Sequence, residues 1–186
     1  MRIISGKFKG KRISFTNSST TRPLRDYVKE NIFNIISHGK NTKFFLDKID
    51  VLDLYSGVGS FGIECLSRNV NSVVFVERDP IAFSILKKNI SALKTTSKTK
   101  LISDDIKNFL KELDEKKKFD LFFLDPPYKD SSYLEIISTI KKKKLFKKNH
   151  KVIIHREQKS EENLDKILKI DLLKSYGRSK IIFGSF

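Results

Sequence analysis

Three acidic residues stand within or at the end of apolar runs, and what stands next to each defines the chemistry this chain can do. Asp125 follows the strongly apolar run 119–124 and opens Asp125-Pro126-Pro127-Tyr128. Two consecutive prolines fix φ and stiffen the loop. Asp125 and the Pro126 carbonyl can together accept the two hydrogens of an exocyclic amine, while Tyr128 offers a flat face to the ring that carries it. A plain turn at a strand end is the alternative reading of Asp125, Pro126, Pro127 and Tyr128.

The second acid, Asp53, sits in the apolar run 51–54, just ahead of Gly57, Gly59 and Gly62 in a G-x-G-x-x-G spacing. Strand, glycine loop and helix form a nucleotide-binding unit, because the loop lets a ligand approach backbone and the helix start offers free N–H groups. The third acid, Glu77, ends the run 72–76, twenty residues after Gly57, where a carboxylate receives ribose hydroxyls. Glycines and Glu77 suit a dinucleotide and S-adenosylmethionine equally. Asp53 decides between them. A carboxylate beside the loop repels a pyrophosphate and attracts a sulfonium and an ammonium. An acid at the end of a third short strand, 101–102, can meet an adenine amino group. Asp104 and Asp105 both stand there, and a helix cap is the equal alternative for either.

Positioning these acids requires alternating strands and helices. The spacing predicts strands at 51–54, 72–76, 101–102, 119–124 and 152–154. It predicts helices from Ser60, where Ser60 itself can cap, at 80–93, from Asp105 to Leu113 and at 132–140. A further helix is expected at 27–37. The segments 167–173 and 181–183 flank Tyr176-Gly177-Arg178 as a terminal antiparallel hairpin. Residues 1–21 carry Arg2, Lys7, Lys9, Lys11 and Arg12 without an acid, and read as a basic β-hairpin arm ahead of one globular domain, 22–186. Arg22 and Arg25 stand at the mouth of the first helix, where they can meet an anionic ligand. Lys141 to Lys144, Lys147, Lys148 and Lys151 read as a solvated helix end or a peripheral RNA contact. His155 and Arg156 follow the fifth strand and border the same cleft.

The chain has 186 residues and a formal net charge of +16, the electrostatic footprint of a nucleic-acid binder. Lysine-rich composition also arises from AT-rich genomes, so the one-sided charge of the first 21 residues carries more weight than the total. No apolar run reaches the roughly 20 residues of a membrane span. Cys65 is the sole cysteine, which excludes a disulfide framework and a cysteine-based metal site. A cytoplasmic monomer that needs no metal is the expectation.

The whole chain resembles the RsmD-type bacterial 16S rRNA (guanine-N2)-methyltransferases. The resemblance rests on Arg-Ile-Ile-Ser-Gly (2–6), Thr-Arg-Pro followed by Val-Lys-Glu-Asn-Ile-Phe-Asn (21–34), Val-Leu-Asp-Leu-Tyr-Ser-Gly-Val-Gly (51–59), Val-Glu-Arg-Asp (76–79) and Asp-Pro-Pro-Tyr (125–128). Asp-Pro-Pro-Tyr is shared by many amino-methylating enzymes; the Thr-Arg-Pro segment makes the match specific. The resemblance implies a Rossmann-like class I S-adenosylmethionine-dependent α/β fold, with a mostly parallel seven-stranded sheet, a C-terminal antiparallel hairpin and an N-terminal hairpin arm. It implies S-adenosylmethionine as methyl donor, bound by Asp53, Tyr55, Gly57, Gly59, Glu77, Arg78, Asp105 and Ile106. It implies 16S rRNA, free or in small-subunit particles, as substrate. Lys29 replaces a frequent Arg, and Ile106 a frequent small residue. Methylation of an amino group on another RNA or DNA base, an NAD(P)-dependent oxidoreductase, and an RNA-binding module without activity remain the competing readings.

Overall fold

The computed structural model describes residues 1–15, 24–40, 42, 44–161 and 163–186. Among them the order is α1 (Asp26–His38), β1 (Asp50–Leu54), α2 (Ser60–Ser67), β2 (Ser72–Val76), α3 (Pro80–Ala92), β3 (Thr99–Ile102), α4 (Ile106–Glu112), β4 (Phe119–Leu124), α5 (Tyr133–Lys142), β5 (Phe146–Glu157), β6 (Lys169–Tyr176) and β7 (Ser179–Ser185). The seven strands form one sheet in the order β3-β2-β1-β4-β5-β7-β6. β1 to β5 run parallel; β7 is antiparallel to β5, and β6 to β7. The mostly parallel sheet with a terminal antiparallel hairpin is as the sequence predicts.

The strand alternation explains the layers. Val51, Val73, Phe75, Leu121, Phe123 and Ile153 pack with Val28, Ile32, Phe33 and Ile36 of α1 and with apolar residues of α2 and α3. Leu52, Leu54, Val74, Val76, Phe122, Leu124, Val152 and Ile154 pack with Ile106, Phe109 and Leu110 of α4 and with Ile136, Ile137 and Ile140 of α5. Central strands buried on both faces must be apolar at successive positions, which is how β1, β2 and β4 read. Local signals start the helices: Pro80 takes the first turn of α3 and the Asp79 carboxylate accepts from the Ile81 and Ala82 N–H groups at 3.0 and 2.8 Å.

Two expectations change. The N-terminal hairpin is reduced to a single antiparallel bridge between Arg2 and Arg12, closing a run of turns. A short ladder joins its two arms, the Ile3, Gly10 and Ile13 N–H groups donating to the Lys11, Ile3 and Met1 carbonyls at 2.9, 2.9 and 3.1 Å, and the polar groups between them pair with α2. The Ile4 and Ser5 N–H groups donate to the Glu64 carboxylate at 2.7 and 3.0 Å, the Phe8 N–H donates to Ser67 Oγ at 2.9 Å, and Ser67 Oγ donates to the Ser5 carbonyl at 2.5 Å. Ile3, Phe8 and Ile13 are buried in the core on the α1–α3 side, while Arg2, Lys7, Lys9, Lys11 and Arg12 stay exposed.

The lysine cluster is the other change. β5 begins at Phe146, so Lys147, Lys148 and Lys151 are strand residues. Lys147 Nζ lies 2.9 Å from Asp50 and 2.7 Å from Asp120, and Lys151 Nζ 2.6 Å from Asp171. Lys143 Nζ donates to the Leu110, Lys111 and Leu113 carbonyls at the end of α4. These lysines hold sheet and helix ends together.

Glu64 is fully buried, and besides the two N-terminal amides it accepts from Arg68 Nε at 2.9 Å. Glu64→Ala strands all three donors, so it should destabilise the protein by about 3 kcal/mol in chemical denaturation. Limited proteolysis of the variant should cut within residues 1–13 first. Wild-type stability and an uncut N-terminus would show that Glu64 does not anchor this segment.

Candidate active site

The strand order reverses between β1 and β4, and the crevice there lies at the carboxyl ends of the parallel strands, where such sheets place ligands. A cavity of about 820 Å³ opens at this point. Asp53, within the apolar run of β1, and Glu77 and Asp125, which close the runs of β2 and β4, all line it.

The loop after β1 is set by Ser56, which sequence reasoning passed over. Its Oγ donates to the Asp53 carbonyl at 2.7 Å and accepts from the Val76 N–H at 2.9 Å, lashing the end of β1 to that of β2. Gly59 adopts φ +88° and is the N-cap of α2, a conformation that favours glycine. Ser60 therefore lies inside the helix, not at its cap, and its Oγ accepts from Lys29 Nζ at 3.3 Å. Lys29, buried, also donates to the Arg2 carbonyl at 2.7 Å. Burial lowers its pKa, partly opposed by the carboxylates of Glu64 and Asp26.

Asp53 points into the α2 layer. It is 1% exposed, and one oxygen accepts from the Gly62 N–H at 2.9 Å. A Cβ on Gly62 would lie 2.8 Å from that same oxygen and 2.3 Å from the Phe75 ring, so the contact requires glycine. The other oxygen, Oδ1, is buried with no hydrogen-bond partner among the described residues. Burial pushes the Asp53 carboxyl well above the usual range, and the charges of Asp125 and Glu77 push the same way. Glu77 accepts from the Gly57 N–H at 2.7 Å with one oxygen and from the Asp79 N–H at 2.8 Å with the other. Burial raises its pKa, the two amides opposing.

Tyr55, Gly57, Arg78, Asp105 and Ile106 line the cavity with these acids. Tyr55, at φ +58°, donates from its hydroxyl to Asp130 at 3.2 Å. Asp105 caps α4, accepting from the Lys107 N–H at 2.9 Å, while its second oxygen lies 3.4 Å from Arg78. The cap alternative for Asp105 is thus realised, and the residue also faces the cavity. Asp104 accepts from the Asp105 N–H at 2.6 Å.

Asp125, Pro126, Pro127 and Tyr128 form the opposite wall. β5 holds them through side chains whose partners no local pattern announced. His155 Nδ1 lies 2.8 Å from Asp125 Oδ1. Arg156, 3% exposed, donates from its two terminal nitrogens to the Pro127 and Tyr128 carbonyls, each at 2.9 Å. Those two carbonyls therefore serve the loop. Of the basic residues expected to meet nucleic acid, Arg25 lines the cavity and is exposed. Arg2, Lys7, Lys9, Lys11 and Arg12 stand on the N-terminal turns; Arg22 lies outside the described residues. Among the described residues no group of three or more His, Cys, Asp or Glu side chains could hold a metal ion, and no helix is long and apolar enough to cross a membrane.

Residues 1–185 match the family described as conserved hypothetical protein 95. Ribosomal RNA small subunit methyltransferase D of Haemophilus influenzae is 33% identical over 85% of this chain and 79% of that protein. The protein of the same name from Buchnera aphidicola subsp. Baizongia pistaciae is 34% identical over 84% and 76%. Among solved structures, the Escherichia coli protein yhhF superposes with a TM-score of 0.83 at 20% identity, covering 99% of this chain and 96% of that one, which shows a shared fold. The acids and the Gly57 that line the cavity, unlike Gly59 and Gly62 which do not, thus lie within a match spanning almost the entire sequence, and the chain belongs to the conserved hypothetical protein 95 family, that of the ribosomal RNA small subunit methyltransferase D proteins.

Proposed function

We propose that this protein transfers a methyl group from S-adenosylmethionine to the exocyclic N2 amine of a guanine in 16S ribosomal RNA, free or within small-subunit particles. The observation that carries the reading is the convergence of Asp53, Glu77 and a His155-anchored Asp125 on one cavity, in a chain of this family.

The donor set fits the cofactor. Seven acids and four Arg or Lys residues line the cavity among the described residues, a surplus that favours a cationic ligand and opposes a pyrophosphate. The unpartnered Asp53 Oδ1 needs a donor, and Glu77 retains lone pairs for hydroxyls beyond the two amides it accepts. Asp53 and Glu77, with Tyr55, Gly57, Arg78, Asp105 and Ile106, would hold S-adenosylmethionine, Gly59 shaping the start of α2, and the bound cofactor would supply a methyl made electrophilic by its sulfonium.

The remaining work belongs to the chain. A guanine amine is a weak nucleophile because its lone pair is delocalised into the ring, so orientation matters most. Asp125 and the Pro126 carbonyl each accept one amine hydrogen, and Asp125 takes the proton the nitrogen must lose as it gains a methyl. Tyr128 stacks on the base. A carboxylate can only accept, so His155 carries its proton on Nδ1 and donates it to Asp125, holding that carboxylate still. The basic segment 1–21, with Arg22 and Arg25, takes RNA phosphates.

Glu77→Ala should weaken S-adenosylmethionine binding roughly 10- to 100-fold in calorimetry, the loss of a buried charged acceptor. The Glu77 pKa is raised by burial, so acidification should reduce cofactor affinity at a higher pH than an exposed carboxylate would. Fold stability runs the other way: a carboxyl with a raised folded-state pKa contributes most below its unfolded value and loses that contribution as pH rises. Affinity that is flat with pH, or tight NADH binding instead, would rule out this role.

Asp125→Ala should retain cofactor affinity while N2-methylguanine formation falls at least 1,000-fold in a labelled-methyl assay on small-subunit rRNA. His155→Asn places an amide donor near the Nδ1 position and should keep most of the rate. His155→Phe should lower kcat about ten-fold with little change in KM for RNA. Full activity in Asp125→Ala would overturn the mechanism, and N6-methyladenine in the product would overturn the substrate.

A further inference from the structure

Beyond the pocket for one base, the mouth of the same cavity carries exposed aromatic surface that the methyl-transfer reading leaves unused. Phe15 and Tyr27 are 48% and 46% exposed, two of the large hydrophobic residues this chain leaves in water, and both line the cavity. Tyr176 joins them: its ring meets that of Tyr27 edge-on, with centroids 5.8 Å apart. The three come from separate parts of the chain, ahead of α1, in its first turn and at the end of β6. No single local element requires an aromatic at all three places. Tyr55 and Tyr128 lie on the walls of the same cavity, so four of the chain's five tyrosines line it.

Charge follows the same division. Arg25 stands two residues before Tyr27, and Arg178 two residues after Tyr176; both are exposed and line the cavity. The acids, by contrast, belong to the ends of β1, β2, β3 and β4 and the loops beyond. The strand-end side of the cavity is therefore predominantly acidic, with Arg78 and Lys129 among seven acids, while Arg25 and Arg178 stand near Tyr27 and Tyr176 in the chain. Flat faces with adjacent arginines fit an unstacked nucleotide, the base on the ring and its phosphate on the guanidinium. A strand that delivers one base to Asp125 must leave a neighbour unstacked.

Resting on the RNA reading above, we propose that Phe15, Tyr27 and Tyr176 form a second stacking site that takes a nucleotide adjacent to the methylated guanine, with Arg25 and Arg178 on its phosphates. The probe is a small-subunit rRNA fragment spanning the mapped methylation site, with 2-aminopurine on one or the other side of the target. Binding to the wild-type protein should quench 2-aminopurine at one flank. In Tyr27→Ala/Tyr176→Ala the quench should disappear and RNA affinity fall about ten-fold, with unchanged S-adenosylmethionine affinity as the control for folding. Tyr27→Phe/Tyr176→Phe should behave as wild type, since the stacking faces remain.

Wild-type quenching, RNA affinity and methylation in the alanine variant would overturn the stacking site while leaving the methyltransferase reading intact. A wild-type protein that neither binds nor methylates rRNA or particles would instead overturn that reading. A defect confined to protein-containing particles, with naked-RNA binding normal, would mean that the aromatic mouth meets a ribosomal protein, and would likewise reject the proposal.

Discussion

A carboxylate buried where the sheet reverses direction is the constraint around which the cavity is arranged. Asp53 is 1% exposed, yet one of its oxygens has no partner among the described residues. Leaving such a group in a low-dielectric interior is costly unless a donor or cation completes it. The nearby charges of Asp125 and Glu77 aggravate the cost, and the carboxyl responds with a pKa well above the ordinary range. Few ligands relieve this tension. A phosphate adds to it; a cation with N–H donors removes it. The same contact dictates local sequence, because Gly62 must lack a Cβ for its N–H to reach Asp53 beside the Phe75 ring.

Rigidity around that carboxylate comes from long-range ties between strand ends. Ser56 joins the loop after β1 to β2, Glu77 holds the glycine loop through the Gly57 amide, and β5 grips the Asp125 loop through His155 and Arg156. Below them Phe61 stacks on Phe123 with centroids 3.9 Å apart, packing α2 against β4 directly under the cavity. The walls are therefore set by the sheet rather than by loop chemistry. Placement on this framework gives Asp125 a defined position before any substrate arrives, which orientation-dependent catalysis needs.

What could be read from the sequence was what local physics decides. Doubly buried strands must be apolar, so β1, β2 and β4 announce themselves, and an acid ending such a run is conspicuous. Glu77 and Asp125 were legible for that reason, Asp53 by its place just ahead of the glycine loop, and Pro80 as a helix start. Groups whose partners lie far along the chain were not. Lys147 reads as one of a solvated cluster until Asp50 and Asp120 are brought beside it. Arg156 reads only as a residue bordering the cleft until the carbonyls of Pro127 and Tyr128 accept from it. The basic alternation of residues 1–13 suggests a free hairpin only while Glu64 and Ser67 are unknown as its partners. His155 could be placed at the cleft by its position after the fifth strand, but its contact with Asp125 depends on the register between β4 and β5.

Net charge and site charge have opposite signs here, and the opposition constrains how an RNA can enter. The chain carries +16, which draws a polyanion from solution. The floor of the cavity is acidic, and charges buried there are poorly screened by salt, unlike those on the surface. A phosphate driven toward Asp53, Glu77 and Asp125 would meet repulsion at short range, whereas a neutral base would not. The backbone must therefore stay at the mouth, near Arg25 and Arg178, while only a base passes inward to Asp125. An acidic floor beneath a basic exterior selects a flipped nucleotide over an inserted strand, and it does so before any hydrogen bond to the base is made.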